Sequence, residues 1–428
     1  MKIRLFILVA VGWVASSLIS CKPEVDTNNS RPHKETEDSI LLNTVQNASM
    51  NYMWTGADPV SGMAYERIHL DNDYGSNDPK VITTGGTGFG IAGLVVAMER
   101  GFIPRESGVE RLQRIVDFLA KADRFHGIWP HWLHSDGKVV PFSPNDNGGD
   151  LVESSFLMEG LLIARQYLNA SQPTEKAVID AINNLYQSME FDWYRNKQNC
   201  LYWHWSPDKG WVMNMPIRGW NEALIVYVLA ASSPTHSISK TVYTEGWGKT
   251  NHPTSTYNEP LFWTHYSFIG LNPMTLKDQY ASYKEVVVGH ALAQHDYCVR
   301  NPKRYPNYGS KCWGLTAGYS PSGYSAHSIN NDLGVITITA ALSSMPYTPT
   351  QSLEALRYFN SRRGELWGTY GFYDGFCDNH HWCLPRYLAI DQLTIAPMIE
   401  NYRSGLLWKL FMSCPEIQTG LTKLGFTY

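Results

Sequence analysis

Residues 216–231, PIRGWNEALIVYVLAA, indicate the fold of this chain more directly than any other stretch. From Ala223 onward every residue is apolar, so a helix formed here has no polar face and must be buried on all sides. The residues just before it are polar or aromatic, and Glu222 is a carboxylate at the start of the apolar run. The sequence therefore predicts a buried helix that begins with side chains able to do chemistry.

The same pattern occurs six times and alternates with a second kind of helix. The apolar segments begin near Gly85, Asn147, Gly219, Phe262, Asn330 and Ile390. Amphipathic segments, whose charged faces belong in water, cover residues 106–122, 174–190, 276–299 and 350–360. This alternation predicts an all-α fold, an (α/α)6 barrel in which an inner layer of helices is wrapped by an outer one. Parallel inner helices would bring their N-terminal ends together at one mouth.

One small β-hairpin is predicted beside the helices. The segments LYWHW (201–205) and GWVMNM (210–215) flank the turn-like sequence SPDK at 206–209.

The first 38 residues are typical of an exported lipoprotein. Lys2 and Arg4 precede a short apolar run, which ends at Ser20 and Cys21 in a pattern resembling a bacterial lipobox. The sequence predicts a signal peptide with lipobox over residues 1–21, a flexible tether over 22–38 and one catalytic domain over 39–428. We expect lipid on Cys21, a membrane partner through that lipid, and a place in the periplasm or at the outer membrane or cell surface. An ordinary signal peptide with an incidental Cys21 is the alternative.

Composition and motifs exclude several classes of function. The net charge is −4 and no basic block occurs, so we expect no nucleic-acid partner. No CxxC or HExxH spacing is present, and neither a P-loop nor GxSxG is found, so no metal and no cofactor is predicted. The 15 Trp and 25 Tyr are numerous enough to supply both a core and a sugar-binding cleft.

Five acids lie at the predicted starts of inner helices. Asp146, Asp150 and Glu153 occur in SPNDNGGDLVESSF, where Asp150 and Glu153 also have the spacing of a helix cap. Glu222 and Asp391 each open an apolar helix, where a helix-dipole contact or an N-cap is the alternative reading. Burial favours the protonated form of a carboxyl group, which is the form that a general acid needs. One protonated and one ionised carboxyl group suit glycoside hydrolysis.

Several long segments resemble a known family. They are TTGGTGFGIAGLVVAMERGFI at 83–103, DFLAKADRFHGIWPHW at 117–132, GGDLVESSFLMEGLLIARQY at 148–167, YWHWSPDKGWVMNMPIRGWNEALIVYVLAASSPTH at 202–236 and MIENYRSGLLWKLFMS at 398–413. They resemble the glucoamylase-like domain family, and within it the bacterial β-1,2-glucanases of glycoside hydrolase family 144. The resemblance runs from about residue 52 to residue 428. It implies an (α/α)6 barrel, an inverting mechanism, and β-1,2-glucan and its oligosaccharides as substrate.

The resemblance also implies roles for individual residues. The family's acids fall on Glu222, Asp146, Asp150 and Asp391. Residues 392–395 read Gln-Leu-Thr-Ile, where the family usually has Gln-Gly-Pro-Ile, so the sequence departs from the family beside Asp391. Endo and exo cleavage are both compatible with the sequence.

The sequence therefore predicts an inverting endo-β-1,2-glucanase that releases sophorose and longer oligosaccharides. Glu222 is the predicted general acid and Asp391 the general base, while Asp146, Asp150 or Glu153 could serve as base instead. The predicted substrate-binding residues are Glu153, Arg218, Trp220, Trp203, His204, Trp205, Tyr319, His327, Tyr373 and Arg403. The alternatives are an exo-acting sophorohydrolase, a glycosidase for another linkage, and a glucan-binding lipoprotein without catalysis.

Overall fold

The computed structural model describes residues 36–428, and these residues form fourteen α-helices and fourteen short β-strands. The helices are α1 Glu37–Trp54, α2 Thr84–Glu99, α3 Arg105–Leu119, α4 Leu151–Tyr167, α5 Pro173–Gln187, α6 Leu224–Ser232, α7 Lys240–Gly246, α8 Tyr283–Arg300, α9 Ile338–Ser343, α10 Pro349–Ser361, α11 Arg363–Leu366, α12 Ala389–Arg403, α13 Leu406–Met412 and α14 Pro415–Leu424. The strands are β1 Arg67–His69, β2 Ile82–Thr83, β3 Trp132–Leu133, β4 Val139–Val140, β5 Gly149–Asp150, β6 His204–Trp205, β7 Ala317–Ser320, β8 Gly323–Ala326, β9 Ile336–Thr337, β10 Trp367–Gly368, β11 Gly371–Phe372, β12 Gly375–Cys377, β13 Trp382–Cys383 and β14 Arg386–Leu388.

The inner layer consists of the segments that the sequence marks as apolar all round. In α2 every residue from Thr84 to Met98 is buried, and all nine residues of α6 are buried. The outer helices α3, α5 and α10 bury one face only. This alternation of buried and half-buried helices confirms the predicted (α/α)6 arrangement.

Three inner segments differ from the prediction in detail. Residues 262–271 form two 3-10 helices, Leu261–Thr264 and Tyr266–Phe268, instead of an α-helix. This stretch is crowded with aromatic rings, and such rings lose rotamer freedom against the preceding turn of an α-helix. The other two helices begin late, α6 at Leu224 and α9 at Ile338. Glu222 consequently lies in the turn before α6.

Two inner helices, α2 and α4, cross at a pair of glycines. A Cβ on Gly160 would lie 2.0 Å from the carbonyl oxygen of Gly88, and a Cβ on Gly88 would lie 2.1 Å from that of Phe156. Distances this short are impossible for any larger residue without separating the backbones. The glycines therefore set the spacing of these two helices.

The predicted hairpin is present, although its strand assignment differs. The Trp203 N–H donates to the Met215 carbonyl at 2.9 Å, and the Ser206 N–H donates to the Gly210 carbonyl at 3.2 Å, so the two arms pair around the turn. The regular strand β6, however, pairs with β5, placing His204 opposite Asp150 and Trp205 opposite Gly149. This pairing brings the hairpin to the start of α4.

Helix α1 was not predicted, and it runs antiparallel to α12. Near the C-terminal end of α12, Glu400 Oε2 accepts a hydrogen bond from Gln46 Nε2 at 3.1 Å, and Arg403 Nη1 donates to Asn43 Oδ1 at 2.6 Å. After the C-terminal end of α1, strand β1 pairs with β14, and β14 leads directly into the start of α12. The first half of α1 thus lies at the end of the toroid away from the mouth, and its last half points to the mouth.

Most of the predicted N-terminal features lie before residue 36, where the described residues begin. Thr36 caps α1, so Glu37 and Asp38 of the predicted tether belong to a helix. Cys21, the signal peptide and most of the tether lie outside the described residues. Within residues 36–428 the six cysteines are free thiols, and no helix combines the length and apolar character needed to cross a bilayer.

Candidate active site

A cavity of about 380 Å³ opens where the inner helices begin. Thr83 caps α2, Glu153 lies in the first turn of α4, Glu222 precedes α6 and Ile390 lies in the first turn of α12, and all four residues line this cavity. The predicted convergence of helix beginnings on one mouth is therefore present.

Three glutamates line the cavity, and burial raises the pKa of each. The pKa of Glu222 rises to about 7, because burial disfavours the charged form and the Asp150 carboxylate adds repulsion. The pKa of Glu153 rises to about 8 through burial, although the Gly85 N–H donates to its Oε2 at 2.9 Å. Burial also raises the pKa of Glu66. The cavity thus contains carboxyl groups that remain protonated near neutral pH.

His131 supplies positive charge among these acids. Its Nδ1 lies 2.9 Å from Asp150 Oδ2. Burial alone would lower the pKa of His131, but the carboxyl groups of Glu153 and Asp150 raise it to about 10. With a pKa this high, His131 carries a positive charge at neutral pH and lies beside Asp150.

Asp150 acts mainly as a helix cap. Its Oδ1 accepts hydrogen bonds from the N–H groups of Val152 and Glu153 at 3.0 and 2.9 Å, and its Oδ2 contacts His131 Nδ1 and Trp203 Nε1, the latter at 3.3 Å. It is 1% exposed and is not among the residues that line the cavity. Both oxygens are thus occupied by the cap of α4 and by contacts with His131 and Trp203, and the catalytic role of Asp150 stays a prediction.

Asp146 lies close to Asp150 and keeps one oxygen without a hydrogen bond. Its Oδ1 is 3.4 Å from His204 Nε2, an atom that already accepts the Gly148 N–H at 3.0 Å. Burial raises the pKa of Asp146 to about 7, with a further contribution from Asp150. One ligand atom from each of His131, Asp146 and Asp150 lies within 4.8 Å of the others, the only set among residues 36–428 close enough to share a cation.

Asp391 lies behind the cavity wall. It is 2% exposed, and the phenol of Tyr266, which does line the cavity, donates to its Oδ1 at 3.4 Å. Burial and the neighbouring Asp374 raise the pKa of Asp391 well above its usual range. Asp391 therefore reaches the cavity through Tyr266, and its predicted role as a base needs a route past that ring.

Most of the predicted substrate-binding side chains lie elsewhere. Glu153 and Trp203 line the cavity. Trp220 belongs to the core, where it contacts Trp247 and Phe268, because its ring is apolar enough to be buried. Arg403 is the last residue of α12, at the end of that helix away from the cavity.

The remaining predicted residues make structural contacts. Arg218 is exposed and donates to the Glu245 carbonyl. The other predicted rings do not line the cavity. Trp205 packs on His126 and Trp193, and Tyr373 packs on Tyr387. Tyr319 forms a hydrogen bond with His69, His204 accepts one from the Gly148 N–H, and His327 is fully buried. An aromatic or imidazole group in a loop was therefore a poor predictor of contact with the cavity.

The structure adds cavity residues that the sequence did not single out. They are Glu66, Arg67, Asn77, His131, Trp132, Phe142, Phe262, Tyr266 and Tyr324. Phe142 packs 4.2 Å from His131 and is 49% exposed, and Tyr324 is 59% exposed. Flat rings beside carboxyl groups form the kind of surface on which sugar rings stack. The aromatic-rich motif WPHW at residues 129–132 could have indicated His131 and Trp132 as cavity residues, whereas no motif surrounds Glu66.

Comparison with known proteins gives consistent results. The family model Glycoamylase, described as "Putative glucoamylase", matches residues 214–415. The endo-β-1,2-glucanase from Chitinophaga pinensis, solved with sophorotriose and glucose, is 52% identical with a TM-score of 0.89, over 92% of this chain and 99% of that one. The β-1,2-glucanase structure from Parabacteroides distasonis is 40% identical with a TM-score of 0.86, over 91% of this chain and 60% of that one.

A curated relative has a longer chain. The exo β-1,2-glucooligosaccharide sophorohydrolase (non-reducing end) of Parabacteroides distasonis is 42% identical over 90% of this chain. The present chain spans 58% of the length of that relative.

Proposed function

The chain belongs to the Glycoamylase family, and from this premise we propose that it is an inverting glycoside hydrolase that cleaves β-1,2-glucan. The observation that carries the proposal is the cavity itself, which is lined by Glu66, Glu153 and Glu222 together with His131 and several aromatic rings. The names of the β-1,2-glucan-degrading relatives support the linkage.

Glu222 is the proposed general acid. It lines the cavity, and its pKa of about 7 keeps much of it protonated at neutral pH, as donation to a leaving glycosidic oxygen requires. Its position in the turn before α6 leaves the side chain at the mouth while its carbonyl accepts the Ser267 hydroxyl.

Asp391 remains the proposed general base, acting beside Tyr266. In an inverting enzyme the two carboxyl groups lie about 6.5–9.5 Å apart so that a water fits between them, and a substrate hydroxyl that relays the proton would allow a longer gap. Asp146 is the alternative base, since one of its oxygens has no hydrogen-bond partner among the described residues.

We propose the endo mode, because the endo-acting relative matches over 99% of its length at higher identity than the exo-acting one. The exo-acting sophorohydrolase is the second candidate. Incubation of the protein lacking its first 21 residues with β-1,2-glucan, laminarin, starch and cellulose, followed by chromatography over time, separates the candidates.

We expect only β-1,2-glucan to be shortened, with a mixture of oligosaccharides at early times and the α-anomer formed first, as polarimetry would detect. Sophorose alone from the first time point would establish the exo mode. Binding of β-1,2-glucan without products would establish a glucan-binding lipoprotein, and products from another glucan would show that the linkage is wrong.

The location of the protein is part of the same proposal. We infer an exported lipoprotein held to a membrane through lipid on Cys21, on the basis of residues 1–38.

A further inference from the structure

Asp374 is a buried carboxyl group with no role in the site described so far. It lies between β11 and β12 and is 6% exposed. Its Oδ2 accepts the Tyr319 N–H at 2.6 Å, and its side chain is within hydrogen-bond distance of Asp391. Asp374 therefore contacts both the proposed base and the strand β7.

Each of the two aspartates has one buried side-chain oxygen without a hydrogen bond among the described residues. Asp374 Oδ1 and Asp391 Oδ2 are both buried, and neither receives a hydrogen bond from an N–H group or a hydroxyl of residues 36–428. Two ionised carboxylates within hydrogen-bond distance of each other repel strongly in a buried site. A single proton between these two oxygens removes the repulsion and satisfies both atoms.

The same contact connects the pair to the wall of the cavity. Strand β7 pairs with β8, which carries Tyr324 into the cavity. A Cβ on Gly318 would lie 2.8 Å from Asp374 Oδ2, so the strand can approach the carboxyl group this closely only with glycine there. Asp374 thus joins the hairpin that carries Tyr324 to Asp391 on α12.

We propose that Asp374 is a positioning residue that shares one proton with Asp391, so that the two carboxyl groups carry one negative charge and act as a single base behind Tyr266. The proposal rests on the proposed function for its catalytic part, while the shared proton itself does not depend on any activity.

Both carboxyl groups of the pair have a raised pKa. Burial raises the pKa of Asp374 to about 7, and burial together with the Asp374 charge raises the pKa of Asp391 well above its usual range. The other titratable or charged groups near the pair are Glu66, Tyr266, Tyr319, Tyr324, Arg67 and Arg386. Burial raises the pKa of Glu66 and of the Tyr266 and Tyr319 phenols, so these two phenols stay neutral while the pair loses its first proton.

The first test is the pH dependence of kcat/KM for Asp374→Asn on β-1,2-glucan. An amide at this position can donate only toward Asp391 and removes the neighbouring charge, so we expect the acid limb to move to lower pH by about one unit or more. Asp378→Asn is the matched control, since Asp378 lies on the same segment but pairs with Arg362. An acid limb that stays in place in Asp374→Asn would overturn the proposal.

The second test needs no substrate and stays informative if the glucanase proposal fails. We would compare the unfolding temperatures of the wild type, Asp391→Asn and Asp391→Ala between about pH 5 and about pH 9. Since burial raises the folded-state pKa of these carboxyl groups, stability is lost as the pH rises through that pKa. An Asn amide at 391 can donate to Asp374 in place of the shared proton, so Asp391→Asn should show the smallest loss. Equal losses for Asp391→Asn and Asp391→Ala would contradict the shared proton.

Discussion

Glu222 lines the cavity, and its pKa is raised to about 7. Asp391, the other proposed catalytic residue, does not line the cavity. We expect Glu222→Gln to lower kcat on β-1,2-glucan by about 10²–10⁴-fold, because an amide cannot donate the proton that the leaving oxygen needs. Substrate binding, measured by calorimetry with a sophoro-oligosaccharide, should persist. Glu110→Gln on the outer helix α3 is the control and should keep full activity. A Glu222→Gln protein with more than half of the wild-type rate would exclude Glu222 from the mechanism.

The pH profile follows from the same group. The protonated form of Glu222 is the active form, and its pKa is raised, so kcat/KM should fall as the pH rises above about 7. Measurement of initial rates across the pH range, with stability checked at each pH, shows whether the alkaline limb lies there. An alkaline limb two or more units higher would assign the donor role to another group.

The sequence could predict residues that begin a buried helix and little beyond them. Glu153 and Glu222 were found because an acid before an all-apolar run is conspicuous, and both line the cavity. Glu66 and His131 come from loops far apart in the chain, and they meet at the cavity through tertiary packing alone. Trp220 is the converse case: the structure buries it in the core, and a large ring beside an acid looks the same in sequence whether it faces a ligand or the core.

At the scale of elements, the crossing of α2 and α4 is the most constrained contact of the inner layer. We expect Gly160→Ala to destabilise the protein by about 1–3 kcal/mol or more, since the new methyl group would overlap the Gly88 carbonyl and force the helices apart. The unfolding midpoint in urea would measure this loss. The matched control is Gly93→Ala in α2, where the nearest atom, Met50 Cγ, is 3.8 Å away; it should be neutral or stabilise by about 0.5–1 kcal/mol. Equal midpoints for the two variants would contradict the close-packing argument.

Helix prediction succeeded where periodicity was uniform and failed where polar groups were buried. The segments α3, α5 and α10 match their predicted ranges within a few residues at each end. Helix α1 is not predicted from the sequence because Gln46 and Ser49 lie on its buried face, where Gln46 contacts Glu400. A buried amide breaks the apolar stripe from which an amphipathic helix is recognised.

At the scale of the whole molecule, the proposed lipid on Cys21 determines where the enzyme works. Replacing Cys21 by Ala should move the protein from the membrane fraction to the soluble fraction, because no lipid would then be attached to the tether. Specific activity of the released protein should equal that of the wild type. If Cys21→Ala still sediments with membranes, or if the wild type is soluble with a free thiol at its N-terminus, the anchor is wrong.

The direction of α1 determines which end of such an anchored enzyme is attached to the tether. The helix is 18 residues long, so about 27 Å separate its first residue, at the end of the toroid away from the mouth, from its last, near the mouth. A tether joined to Glu37 would attach the protein at the end away from the mouth, so the cavity could face away from the bilayer. A polymer arriving from solution could then thread into the mouth without first passing between the enzyme and the lipid headgroups, and shortened chains could diffuse away on the same side.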